Sequence, residues 1–144
     1  MGIRKRSKAE LLKEARKGQY IAKLNDCPSS PRKMRLVTEL IKGVEVTKAL
    51  EILKYTPKEA APKLEKLLRS AIANWQNKNE GVRIEDSNLY VKNVYVNQGR
   101  TLKRIQPAPQ GRAYRIRKRS NHVTIILDTY NIIKKEEQTV ENKE

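Results

Sequence analysis

The sequence holds one cysteine, Cys27, so neither an intramolecular disulfide framework nor a Cys-based zinc site is possible. Phenylalanine is absent and aromatics make up only 5% of the 144 residues, while other apolar residues are plentiful enough to fold. No apolar run approaches the roughly eighteen residues of a spanning helix. The densest stretch, Val123–Leu127, is interrupted by Thr124. The opening residues Gly2-Ile3-Arg4-Lys5-Arg6-Ser7 lack the apolar core of a signal peptide, and Arg6 stands where myristoylation needs Ser or Thr. A reducing, cytoplasmic setting is expected. One further absence is local: residues 87–127 contain no acidic side chain.

What is present is positive charge. Lys and Arg number 32 against 16 Asp and Glu, a formal net charge of +16. Residues 1–42 carry +8, residues 43–86 only +1, residues 87–127 +9, and residues 128–144 −2. Such an excess repels itself unless a polyanion neutralises it. Nucleic acid is the leading partner class and an anionic membrane the second. Enzymatic chemistry finds no support, since there is no phosphate loop, no glycine-rich dinucleotide turn and no nucleophile–base pair. His122, the only histidine, reads as bonded locally or touching phosphate, and Cys27 as a passive small residue.

The middle reads as helix. Ser30 is an N-cap with Pro31 behind it, and Met34, Val37, Leu40 and Ile41 share a face before Gly43 ends the helix. Val46 to Tyr55 repeats the pattern with Ala49, Leu50, Ile52 and Leu53. Thr56-Pro57-Lys58-Glu59 has the form of a capping box. Ala60, Leu64, Leu67, Leu68, Ala71, Ile72 and Trp75 then form one stripe to about Asn79, with Pro62 expected to kink the first turns or mark the true start. Trp75 is read as core rather than as a base-stacking residue. Gln19–Leu24 is a short strand ahead of these helices.

The last third changes period. Tyr90, Val94 and Val96 are expected on one strand face and Leu89, Val91 and Tyr95 on the other, while Val123, Ile125 and Leu127 alternate with His122, Thr124 and Asp128. The twenty-five residues 97–121 between them are too polar for core and too long for a structureless loop. Both strands are therefore expected to continue outward as a hairpin turning near Pro107-Ala108-Pro109-Gln110-Gly111. From Val96 to Pro107 such a strand extends about 36 Å at roughly 3.3 Å per residue, against an expected radius of gyration of about 15 Å. An isolated two-stranded ribbon is marginal in water, so this one needs a polyanionic surround.

Three stretches also carry a resemblance. The first is Ser30-Pro31-Arg32-Lys33-Met34-Arg35-Leu36-Val37 with Leu40-Ile41-Lys42-Gly43. The second is Ala49-Leu50-Glu51-Ile52-Leu53-Lys54-Tyr55-Thr56 with Ser70-Ala71-Ile72-Ala73-Asn74. The third is Lys103-Arg104-Ile105, Gly111-Arg112-Ala113 and Arg115-Ile116, ending in His122-Val123-Thr124-Ile125. In order and spacing, over about residues 18–128, they resemble the family of large-subunit ribosomal protein twenty-two.

The resemblance implies an α+β fold, three helices packed on a three-stranded antiparallel sheet in the order β-α-α-α-β-β, with the long protruding hairpin. It implies a structural constituent of the large ribosomal subunit that binds its ribosomal RNA, supports assembly and has no cofactor. It places the hairpin tip in the peptide exit tunnel, beside a second tunnel-lining protein and the passing nascent peptide. Carried across, the tip is Lys103, Arg104, Ile105, Gln106, Pro107, Ala108, Pro109, Gln110, Gly111 and Arg112. Family members usually have a basic residue where this chain has Ala108 and a small flexible one in place of Pro109. The alternative function is an architectural DNA-binding protein using a basic β-ribbon.

The residues expected to meet RNA are Arg32, Lys33, Arg35, Asn74, Arg100, Lys103, Arg104, Arg112, Arg115, Arg117, Lys118, Arg119 and His122. Cations in the first turn of a helix oppose its dipole, so Arg32, Lys33 and Arg35 point to an external charge. Asn74 reads equally as an RNA contact or as a polar position near a helix end. The expected organisation is a basic extension over 1–17, one RNA-binding domain over 18–130 with its hairpin at about 97–121, and a charged, flexible tail over 131–144.

Overall fold

Four helices and three strands make up residues 3–79 and 87–130, the parts of the chain that the computed structural model describes. They are α1 (Ile3–Lys17), β1 (Tyr20–Cys27), α2 (Pro31–Ile41), α3 (Val46–Tyr55), α4 (Ala60–Lys78), β2 (Leu89–Pro107) and β3 (Ala113–Thr129). The strands pair antiparallel in the order β1-β3-β2. The expected α+β class and element order hold, with one helix added in front. Residues 131–144, including the tail expected to be flexible, lie outside the described residues.

The added helix, α1, occupies the stretch read only as a basic extension. Its Lys, Arg, Ala, Leu and Glu side chains are good helix formers, and Arg6 bonds Glu10 one turn on at 3.3 Å. Its described side chains are all exposed, so it lacks the apolar stripe by which the other helices announce themselves.

Helix α2 begins as expected, with Ser30 extended at the N-cap and Pro31 in the first position. Met34, Val37 and Ile41 are buried, whereas Leu40 is 48% exposed. The 100° step per residue turns Thr38 inward in its place. Helix α3 buries Val46, Ala49 and Leu53. The expected capping box does not form. Thr56 Oγ1 instead donates to the Ile52 carbonyl at 2.6 Å, finishing α3, and α4 starts only at Ala60. Pro62 thus falls within the first turn, where its missing N–H costs no helical bond. From there the stripe through Trp75 is buried as expected, Trp75 itself being 2% exposed.

The sheet buries one face. Val123, Ile125 and Leu127 of β3 lie under the helices, alternating with half-buried His122, Thr124, Ile126 and Asp128. β1 runs Tyr20–Cys27, three residues beyond the expected end. In β2 the expected division of faces fails, because an irregularity between Val91 and Asn93 inserts Lys92 into the ladder. The extra residue flips the parity. Val91 opposes Leu127, Val94 opposes Ile125 and Val96 opposes Val123, so all three share the core face. Lys92 turns to Asp128 at 2.6 Å.

Both outer edges of the sheet body are occupied. Along β1, Asn74 Nδ2 donates to the Ile21 carbonyl at 3.2 Å and Lys78 Nζ to the Gln19 carbonyl at 2.9 Å. Along β2, Gly43 N–H donates to Val91 and Val91 N–H to Val44, at 2.8 and 2.9 Å. That exchange is set up by the positive φ of +77° at Gly43, which lets the chain turn back onto the strand. Asn74 therefore has an internal bond. Asn74→Ala is expected to cost about 1 kcal/mol of folding stability, read by urea denaturation, and to leave RNA affinity unchanged.

Candidate nucleic-acid interface

Past the Gln98–Asn121 pair, β2 and β3 continue as a two-stranded ribbon. A bulge at Gly99 and Arg100 interrupts it, and pairing then resumes from Thr101–Arg119 out to Pro107–Ala113. At the far end Arg112 N–H reaches the Pro109 carbonyl at 3.4 Å, with Gln110 and Gly111 at φ +61° and +70°. Two central residues of positive φ give the turn the handedness that matches strand twist. The paired strands and their turn fall within the stretch expected to form the hairpin.

Opposed residues of an antiparallel pair share a face. Thr101, Lys103 and Ile105 thus stand with Arg119, Arg117 and Arg115, while Leu102, Arg104 and Gln106 stand with Lys118, Ile116 and Tyr114. One face is mainly a row of cations, with Lys103 directly opposite Arg117. Like charges so placed are destabilising by themselves. The other face mixes cations with Leu102, Ile116 and Tyr114, of which Leu102 and Tyr114 are 49% and 67% exposed. Among the described residues no acidic side chain pairs with any Lys or Arg from 100 to 119.

At the ribbon's base a groove of about 1050 Å³ opens against the β1–α2 connection. Asp26, Pro28, Ser29, Ser30 and Lys33 line one side, Arg100, Leu102, Arg117, Lys118, Arg119, Ser120 and His122 the other, with Glu59 from the turn before α4. Lys63, bonded to Glu59 at 2.6 Å, holds that carboxyl below its usual range, while its own ammonium is raised.

Three interactions build the groove wall. Asn121, fully buried, donates from Nδ2 to the Ser29 carbonyl at 2.7 Å and ties the connection to β3. His122 Nδ1 accepts the Asp26 backbone N–H at 3.0 Å, which leaves the ring hydrogen on Nε2. Asp26 reaches that position with φ +49°, at the irregularity between Leu24 and Cys27. Ser120 Oγ donates to the Arg100 carbonyl at 2.6 Å. Gly99 permits this packing, because a Cβ there would lie 2.8 Å from Ser120 Oγ and 3.1 Å from His122 Nε2.

Of the residues expected to meet RNA, the groove gathers Lys33, Arg100, Arg117, Lys118, Arg119 and His122. Lys103, Arg104, Arg112 and Arg115 lie exposed farther out on the ribbon and its turn, and Arg32 on the outer side of α2. Arg35 spends one donor on the Val96 carbonyl at 3.0 Å, and Asn74 is held at the β1 edge. Ser29, Ser30, Ser120 and Gly99 were not legible as site residues. Their role arises from the approach of two distant segments and leaves no local pattern.

Cys27 is 3% exposed. Burial pushes its thiol up, against a weaker opposing pull from Lys63. The folded chain therefore keeps this proton at pH values where the unfolded chain has lost it. The stability linked to Cys27 is complete below the ordinary thiol value of 9.0 and is lost as pH climbs toward the raised folded value. Alkylation of the folded protein by iodoacetamide at pH 8 is expected to be slower than that of the urea-unfolded chain, on the order of tenfold or more.

Helices laid over a sheet that extends into an acid-free ribbon make a scaffold with a strongly cationic surface. Residues 22–128 match the family described as Ribosomal protein L22p/L17e. The large ribosomal subunit protein uL22 of Christiangramia forsetii is 60% identical over 131 residues, covering 91% of this chain and 97% of its own. That of Porphyromonas gingivalis is 58% identical over 131 residues, with 91% and 97% covered. That of Bacteroides fragilis is 59% identical over 129 residues, with 90% and 94% covered. The chain belongs to the L22p/L17e family of ribosomal proteins, a family of structural proteins and not of enzymes. The architectural DNA-binding alternative finds no support among these relatives.

Proposed function

We propose that this chain is a structural constituent of the large subunit of the cytoplasmic ribosome, binding its ribosomal RNA and neighbouring ribosomal proteins without chemistry of its own. The observation that carries this reading is the row of ribbon cations left without acidic partners, in a chain whose relatives are named as large-subunit proteins. Arg100, Arg117, Lys118 and Arg119, with Lys33 and His122, take phosphate in the groove. Lys103, Arg104, Arg112 and Arg115 serve the outer ribbon, where Leu102 and Tyr114 can meet unstacked bases. Residues 18–130 act as one RNA-binding domain.

Sedimentation of a lysate through moderate salt tests this. The protein is expected to travel with the large subunit and to resist salt that strips loosely bound cationic proteins. Recovery with the nucleoid would end the reading. The finer placement follows the resemblance: the ribbon supports early assembly, and its tip from Lys103 to Arg112 lines the exit tunnel beside the nascent peptide and the second tunnel-lining protein. Deleting Lys103–Ile105 is expected to alter the macrolide sensitivity of cells carrying the variant. Unchanged sensitivity would remove the tip from the tunnel.

A further inference from the structure

Helix α1 is a charged element without an occupation in the fold. Every described side chain from Ile3 to Arg16 is exposed, and the helix lies ahead of residues 22–128, which match the family model. At 15 residues it is near the length at which an isolated helix is marginal in water. Within it, seven basic residues face two acidic ones, so self-repulsion adds to that marginality.

The charges are sorted around the axis. At 100° per residue, Glu10 and Glu14 fall on one side with Ile3 and Ser7, and Arg6 reaches back to Glu10 at 3.3 Å. Arg4, Lys5, Lys8, Lys13 and Arg16 spread over the opposite half. A helix that only needed solvation would gain from placing acids one turn from these cations, yet of the five only Lys13 has one, Glu10. Five cations instead share a half-cylinder free of acids.

We propose that α1 is a second RNA-binding element, docking its cationic half against phosphates of large-subunit ribosomal RNA away from those that fill the groove. The inference rests on the ribosomal reading above. An anionic membrane would also attract such charge, but a surface-bound helix needs a broad apolar face, usually with aromatics. Here Leu11 and Leu12 are the large apolar residues near the cationic half, and α1 has no aromatic. Phosphates on a rigid polynucleotide suit a cationic face that offers so little to bury.

The test uses the full chain with Arg4, Lys5, Lys8, Lys13 and Arg16 replaced by glutamine, which preserves helix propensity. The comparison variant carries Glu10→Gln and Glu14→Gln on the opposite side. Binding to deproteinised large-subunit ribosomal RNA is measured against salt concentration, with hydroxyl-radical footprinting on the same complexes. If all five cations bind phosphate, the five-fold variant shows a salt slope shallower by about 3.5 to 4.5. It also loses one discrete group of protected nucleotides while keeping the group due to the ribbon. The comparison variant keeps both groups.

An unchanged slope and footprint in the five-fold variant overturns the role of α1 and leaves the ribosomal reading intact. So does a variant whose only loss is binding to phosphatidylglycerol vesicles. If the unmodified chain fails to bind the RNA at all, the ribosomal reading falls and this inference with it.

Discussion

Replacing Arg100, Arg117, Lys118 and Arg119 together by glutamine is expected to make the salt dependence of RNA binding shallower by about 2.8 to 3.6 in slope, at roughly 0.7–0.9 for each phosphate no longer neutralised. A filter-binding series in increasing salt reads this directly. All four line the groove, and none has an acidic partner among the described residues. Their charge is therefore available to RNA without first breaking an internal pair. The effect on the free protein has the opposite sign. With self-repulsion relieved, the isolated variant is expected to be no less stable at low salt than the natural chain. Lys54→Gln, an exposed cation on α3 in the charge-balanced middle, is expected to leave the slope unchanged. A loss of slope from Lys54→Gln about a quarter that of the four-fold variant would mean that net charge, not the groove, drives binding.

Leu68→Ala is expected to have the largest effect on folding, about 2–5 kcal/mol. Leu68 is fully buried on α4, the helix that packs against β1, β3, α2 and α3 alike. Truncation there opens a cavity in the core that α4 forms with the elements packed against it. A loss of this size is a large share of the 5–15 kcal/mol typical of a whole domain. The urea midpoint is expected to fall with its slope unaltered. Leu36→Ala, at a position 53% exposed on α2, should stay within about 0.5 kcal/mol.

Legibility divided along a physical line. Features fixed by periodicity or composition were readable: the stripe from Ala60 to Trp75, the Pro31 start of α2, and the acid-free ribbon with its turn at Pro107–Gly111. Features fixed by a single inserted residue or by distant contact were not. Lys92 shifts the parity of β2, and no hydropathy pattern marks such a bulge. Thr56 had the right neighbours for a cap but found the Ile52 carbonyl closer. Helix α1 carries propensity without an apolar face, so period analysis passes over it. The charge of Arg35 was visible, but its bond to Val96 was not. The groove depends on Gly99 lying beneath His122 and Ser120, residues some twenty positions away.

The guarded edges of the sheet body have a consequence for the protein before it meets RNA. Asn74 and Lys78 occupy the rim of β1, and residues 43–45 that of β2, so the body offers little template for a strand from another molecule. The outer ribbon has no such cover: its side chains from Leu102 to Pro107 are exposed, with Ile105 at 73%. What keeps two free molecules from zipping together there is mutual repulsion between rows of arginine and lysine. The charge proposed to hold RNA thus also serves as a solubility device, keeping copies of the free protein apart.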